Sequence, residues 1–250
     1  MAKKIAVTLK KGGSGKTTTA INLAGALALK GKKTLLVDLD PQANATLALG
    51  LNPLELKYNI NHLFTDINVQ PSEVIVTTDY GLDILPSHPT LAETEAGMQA
   101  SQVGAIRGIL DPLESNYDYI VIDTPPSESY LTINALGYVD SVIIPLQAHF
   151  LALQGLAQAT DIVKKIQGGL NTKLQIDGIL PTMVNKRTNI SSLVIDQAKQ
   201  DYGDMIYPLQ VDYSIRHSEA TLAGKPIVIY DPTHNGAITY TKLAERIITK

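Results

Sequence analysis

The chain has 250 residues, 44% of them hydrophobic, which is enough to bury a sizeable core, and its formal net charge is -3, so a nucleic-acid partner would need a local basic face. It has no cysteine, which excludes disulfides, thiolate zinc sites, cysteine-ligated iron–sulfur clusters and thiol nucleophiles. The start, MAKKIAVTLKKGG, lacks the apolar region of a signal peptide, and no run of about 18 apolar residues follows, so a soluble cytoplasmic protein without stable membrane insertion is expected.

In chain order, Lys4–Leu9 (KIAVTL) reads as a buried strand, and a helix runs from Lys16 to a stop near Gly31. Further strands are expected at Thr34–Asp40, Leu82–Leu85, Tyr117–Asp123, Ser141–Leu146, Gln175–Val184 and, less clearly, Met205–Val211. Helical patterns cover Leu91–Glu114, Ser129–Leu136, Leu151–Ile166, Ile190–Tyr202 and Ala237–Ile248. Continuous apolar strands alternating with helices predict a doubly wound, mostly parallel α/β sheet flanked by helices. No linker, low-complexity tract or repeat interrupts the alternation, so residues 1–250 are read as one domain with its ligand at the carboxyl ends of the strands.

The first strand runs into LKKGGSGKTTTA, a glycine-rich loop at a helix start. Such a loop turns backbone N–H groups and the positive helix end toward phosphate oxygens. Gly12, Gly13 and Gly15 give the loop its freedom, Lys16 is placed to reach the β and γ phosphates, and the Thr17 hydroxyl is placed to ligate magnesium. The usual G-x-x-x-x-G-K-[ST] pattern needs glycine where Lys10 stands, so the loop is a variant. Magnesium and an attacking water also need acids near the γ phosphate, and Asp38, Asp40 and Asp123 all stand at strand ends. Each aspartate alone is an ordinary strand-end residue; all three together with the loop point to nucleotide chemistry.

The stretches KGGSGKTTTAINLAGALALKGKKTLLVDLDPQANAT and YDYIVIDTPPS resemble the deviant Walker-type P-loop ATPases of the ParA/MinD family, most closely the short, Soj-like ParA branch. LTINALGYVDSVIIPLQ, GLAQATDIVKKIQ, GILPTMVNKRTN and YTKLAERI extend the resemblance along the chain. The resemblance implies ATP and Mg2+ as cofactors, with Lys11, Gly12, Gly13, Ser14, Gly15, Lys16, Thr17, Thr18 and Asn185 around the nucleotide, Asn185 at the adenine edge. Lys11 corresponds to the family's signature lysine, which crosses a dimer interface to the partner's ATP. Thr17, Asp38 and Asp123 would hold magnesium, Asp38 largely through water; Asp40 would orient the attacking water; Thr124–Ser127 resembles the γ-phosphate switch. Lys10 has no counterpart role, and Asp212 and Tyr213 stand where the family often has a Pro-Arg pair.

What the resemblance implies about function is a slow ATPase that forms a homodimer with ATP, binds DNA without sequence preference on the nucleoid, and is released when a ParB-type or other small adaptor stimulates hydrolysis. Lys186, Arg187, Arg216, Lys225, Lys242 and Arg246 are candidate phosphate contacts, each also readable as ordinary solvated charge. A MinD-like membrane ATPase is the alternative; it needs an amphipathic tail, and AITYTKLAERIITK is only modestly amphipathic. Cluster-handling relatives of the family need cysteines that this chain lacks, tail-anchored-protein ATPases need a large helical insertion, and the long ParA branch needs an extra N-terminal domain. The cargo, whether plasmid, chromosome or protein cluster, is not written in these residues.

Overall fold

In the computed structural model, which describes residues 1–149 and 152–250, the strands are β1 (Lys3–Val7), β2 (Thr34–Asp38), β3 (Val76–Thr77), β4 (Leu82–Leu85), β5 (Tyr119–Asp123), β6 (Ser141–Gln147) and β7 (Gln175–Thr182). The helices are α1 (Lys16–Leu29), α2 (Asn44–Ala48), α3 (Ile60–Thr65), α4 (Pro71–Val74), α5 (Leu91–Gly97), α6 (Ala105–Leu110), α7 (Tyr130–Tyr138), α8 (Ala152–Gln167), α9 (Asn189–Tyr202), α10 (Arg216–Leu222), α11 (Ile227–Tyr230) and α12 (Asn235–Thr249).

One sheet takes the order β3-β4-β2-β5-β1-β6-β7, parallel throughout except for β3, which runs antiparallel to β4. Alternate residues of each central strand point to opposite faces, as pleating requires. Leu35, Val37, Ile120 and Ile122 join one core with Ile60, Ile106, Leu131 and Leu156. Ile5, Val7, Leu36 and Val121 join the other with Leu23, Leu27, Tyr240, Leu243 and Ile247. Each fully buried Leu or Ile stabilises the fold by roughly 1.5–3 kcal/mol, and both faces are covered because a parallel sheet has no wettable side. Helix α1 is thus clamped between the sheet and α12, and it ends where Gly31 takes a left-handed φ of 74°.

Several expectations need correction. The helix expected over Leu91–Glu114 is broken into α5, a 3-10 turn at Ala100–Gln102, α6, and a second 3-10 stretch at Asp111–Asn116. Gly104 adopts φ 101°, the Asn134 side chain takes the N–H groups of Gly104 (2.8 Å) and Ile106 (3.2 Å), and Pro112 interrupts the end, so tertiary bonds replace helical ones. Met205–Val211 forms no strand; it runs beside β7 with isolated bridges Ile179–Ile206 and Val184–Asp212, because Pro208 cannot donate to a ladder. The edge strand β3 and the short helices α2, α3, α4, α10 and α11 were not expected from periodicity, being too short to show it. Leu151, the expected start of the fourth helix, lies outside the described residues.

Among the described residues no helix is long and apolar enough to cross a membrane. The 205–211 segment approaches β7 closely because Gly178 has no side chain: an added Cβ would run into the Tyr207 ring. Gly178→Ala is expected to destabilise the chain by roughly 1–3 kcal/mol in urea unfolding, since the buried ring must shift.

Candidate functional site

The loop between β1 and α1 lies at the centre of the sheet, flanked by β5 and β6. Gly13 (φ 69°) and Gly15 (φ 89°) take left-handed conformations that other residues rarely adopt, and Gly15 is the residue before the first turn of α1. The loop is held from outside by Thr182, whose Oγ1 donates to the Ser14 carbonyl at 2.9 Å. Lys16 is buried; its ammonium donates to the Lys11 carbonyl at 2.9 Å, which also accepts Ser14 Oγ at 3.1 Å.

Parallel register sets the acids. Asp38 is the Cα partner of Asp123 across β2 and β5, and Asp123 that of Val7 across β5 and β1. Both carboxylates are wholly buried beside the loop. Asp38 is well supplied with donors: Thr46 N–H at 2.8 Å and Thr46 Oγ1 at 2.7 Å reach Oδ2, and Asp40 N–H reaches Oδ1 at 3.2 Å. Asp123 has no hydrogen-bond partner on either oxygen. Burial pushes the Asp38 carboxyl up to about 6. Burial, then the charge of Asp38, raises that of Asp123 well above the usual range, while the nearby Thr17 hydroxyl and Lys16 ammonium oppose the rise. Burial also lowers Lys16, against the pull of Asp123 and Asp40. A bare buried carboxylate next to another is an arrangement that a divalent cation relieves.

In front of these groups opens a cleft of about 480 Å3, lined by residues 12–18, Asp40, Gln42, Asn44, Pro126 and Met183 among others. It holds Gly12, Gly13, Ser14, Gly15, Lys16, Thr17 and Thr18 together with Asp40, while Asp38 and Asp123 stand behind. Asp40 reaches its place through a tight turn: Gln42 N–H bonds Asp40 Oδ1 at 2.9 Å, Ala43 N–H bonds the Asp40 carbonyl at 2.8 Å, and Ala43 is forced to φ 52°. Met183, which also lines the cleft, is left-handed as well, at φ 52°; such non-glycine residues cost roughly 1–3 kcal/mol each and persist only where the surrounding structure holds them. Thr124 Oγ1 donates to the Val7 carbonyl at 2.9 Å, tying the start of the 124–127 segment to β1.

Other expected residues sit apart. Lys11 is half-buried and is not among the residues lining the cleft. Lys10 pairs with Glu128 at 3.0 Å, away from the phosphate cradle, which places the residue that breaks the usual loop pattern. Asn185 is exposed, with its side-chain oxygen on the Arg187 N–H at 3.0 Å. A smaller cleft of about 150 Å3 adjoins Gly15 and Thr18 and is lined by Met183, Asp212, Tyr213, His217 and Tyr240. His217 was missed in the sequence; its ring nitrogens are buried without partners, and desolvation first, then His234, lowers its pKa to about 4.

The candidate basic residues stand in different surroundings. Lys186 pairs with Asp212 (2.6 Å), and Arg216 with Asp231 (2.8 Å) and Glu219 (2.6 Å), at the loop end of the sheet. Arg246 lies over the Tyr207 ring at the other end. Arg187, Lys225 and Lys242 are exposed and in no ion pair among the described residues.

Asp123→Asn follows from this imbalance. Without nucleotide and magnesium, the variant is expected to be more stable than the parent by roughly 1–3 kcal/mol at pH 8, because a neutral amide escapes the penalty that burial places on ionising this carboxyl. Since the folded carboxyl of Asp123 titrates above the unfolded one, the parent loses stability as pH rises above about 4, so the advantage shrinks toward pH 4. Thermal melts across pH check both, and Mg2+-dependent stabilisation by ADP is expected to be lost in the variant.

Residues 2–176 match the family model described as an AAA domain. Over 99% of its length the chain is 44% identical to the sporulation initiation inhibitor protein Soj of Bacillus subtilis, spanning 98% of that protein. It is 36% identical over 98% of its length to the chromosome partitioning protein ParA of Caulobacter vibrioides, spanning 94% of it. Among solved structures it is similar to cobyrinic acid a,c-diamide synthase from Mycobacterium smegmatis with bound ATP analogue and magnesium (TM-score 0.83, 32% identity, 99% of this chain and 95% of that one). The septum site-determining protein MinD of Pyrococcus horikoshii with Mg-ADP is also similar (TM-score 0.80, 25% identity, 99% and 96%). Likeness of this extent, on a chain whose variant phosphate loop faces strand-end aspartates, means that the protein belongs to the ParA/MinD family of deviant P-loop ATPases, on its Soj-like side.

Proposed function

We propose that the chain is an ATPase of the partition type, taking ATP with Mg2+, closing into a homodimer around the nucleotide, binding DNA without sequence preference, and letting go when a ParB-type or other small adaptor stimulates hydrolysis. The observation that carries the reading is the bare Asp123 carboxylate, buried beside Asp38 and next to a glycine loop with its lysine already inside the cleft wall. Relatives named for chromosome partitioning, similar along almost the whole chain, support the cellular role.

The residues divide the work. Backbone N–H groups of residues 12–17 hold phosphate oxygens, and Lys16 moves from the Lys11 carbonyl to the β and γ phosphates. Thr17 and Asp123 would hold magnesium, with Asp38 behind, held in place by Thr46 and acting through water; when bound, magnesium would neutralise phosphate charge. Asp40, whose pKa burial raises, orients the attacking water from the cleft wall. Lys11, outside the cleft of its own chain, reaches the partner's nucleotide, which makes hydrolysis depend on dimerisation. Asn185 contacts the adenine edge, and the nucleoid is where the dimer resides.

The partition reading is favoured over a membrane-bound one by α12: Ala237, Tyr240, Leu243, Ala244 and Ile247, its apolar stripe, are all buried against the second core. That face is occupied by the fold and is not free to enter a lipid surface.

Asp40→Ala is expected to keep ATP binding, to lower turnover by about 10²-fold or more, and to accumulate as a dimer with ATP in light scattering; a monomer under those conditions contradicts the assignment. Binding to unrelated duplexes is expected only with ATP and to weaken steeply with salt. Equal retention with ADP overturns the DNA part of the reading.

A further inference from the structure

Two residues outside the phosphate loop tie the Asp38 carboxylate to the backbone of Asp40. Thr46, on α2, gives both its N–H (2.8 Å) and its hydroxyl proton (2.7 Å) to Asp38 Oδ2. The same hydroxyl oxygen accepts the N–H of Ser87 at 2.9 Å, and Ser87 Oγ donates to the Asp40 carbonyl at 2.7 Å. Thr46, Ser87 and Asp38 are all 0% exposed, so water does not compete for these bonds. Each hydroxyl has one proton and each has one buried acceptor, which leaves neither side chain free to swing.

The relay gathers three separate pieces of chain: the end of β2, the turn into α2, and the exit from β4. It also pins the strained turn from both sides, since the Asp40 carbonyl that accepts Ser87 also accepts Ala43 N–H, and Ala43 is the residue at φ 52°. We infer that Thr46 and Ser87 are positioning residues for hydrolysis: Thr46 fixes the Asp38 carboxylate, and Ser87 fixes the backbone from which the Asp40 carboxylate enters the cleft. The inference rests on the ATPase reading above.

Thr46→Val removes the hydroxyl at nearly constant volume, Thr46→Ser keeps it without the methyl, and Ser87→Ala removes only the bond to Asp40. With the full chain, Ser87→Ala and Thr46→Val are expected to lower kcat about tenfold or more while KM for ATP stays within about twofold, and Thr46→Ser to stay within about threefold of the parent. A reading that needs no turnover is the rise in melting temperature that Mg2+ adds to the ADP-bound protein: Thr46→Val loses most of it and Thr46→Ser retains it. Parental kcat in Ser87→Ala, or Thr46→Ser as impaired as Thr46→Val, overturns the relay. A parent chain that binds Mg-ADP but never hydrolyses ATP sinks the ATPase reading instead. The melting comparison still judges Thr46 in that case, and an equal Mg2+ response in the Val and Ser variants overturns its role.

Discussion

Two carboxylates stand on paired register positions of adjacent strands, Asp38 on β2 and Asp123 on β5, both cut off from water. Burying like charges side by side opposes folding, and the rest of the site is arranged around that conflict. Asp38 is satisfied by three donors, all within eight residues of it along the chain. Asp123 has no hydrogen-bond partner on either oxygen, with the Thr17 hydroxyl and then the Lys16 ammonium near enough to oppose its rise in pKa. A chain that keeps such a group has a site poised to take positive charge, and stability given up there is recovered when the ligand arrives.

The surrounding fold is what makes the conflict tolerable. The parallel sheet puts β1, β2 and β5 next to one another at its centre, with α1 and α12 covering one face and α7 and α8 the other. Two well-packed cores hold the backbone rigid, so the left-handed residues Ala43 and Met183 persist at the cleft walls. The same rigidity is what the proposed relay through Thr46 and Ser87 would draw on: an acid proposed to orient water needs a fixed backbone more than it needs another charge.

The lysines of the opening loop fall into distinct environments for simple geometric reasons. Lys16 begins α1 and is drawn inward; Lys11 contributes its carbonyl to that lysine and turns its side chain elsewhere; Lys10, one residue earlier, faces Glu128 across the entrance to α7. A departure from the usual phosphate-loop pattern at Lys10 therefore leaves the cradle itself unchanged, since the positive-φ positions are glycines 13 and 15.

Sequence alone determined the mostly parallel α/β architecture, the positions of its main strands along the chain, the phosphate loop and the aspartates at or just past strand ends. These are local properties: an apolar run marks a strand buried on both faces, and glycines before a lysine at a helix start mark a phosphate cradle. Tertiary structure alone decided the rest. It broke the Leu91–Glu114 helix, because the Asn134 side chain captures the N–H groups at Gly104 and Ile106. It kept 205–211 out of the sheet, paired Lys186 with Asp212 and laid Arg246 over the Tyr207 ring. Thr46, Ser87 and His217 were invisible for the same reason: a hydroxyl or an imidazole in sequence carries no sign of its acceptor. The bond from Ser87 to Asp40 joins residues 47 positions apart, which only the pairing of β2 with β4 brings together.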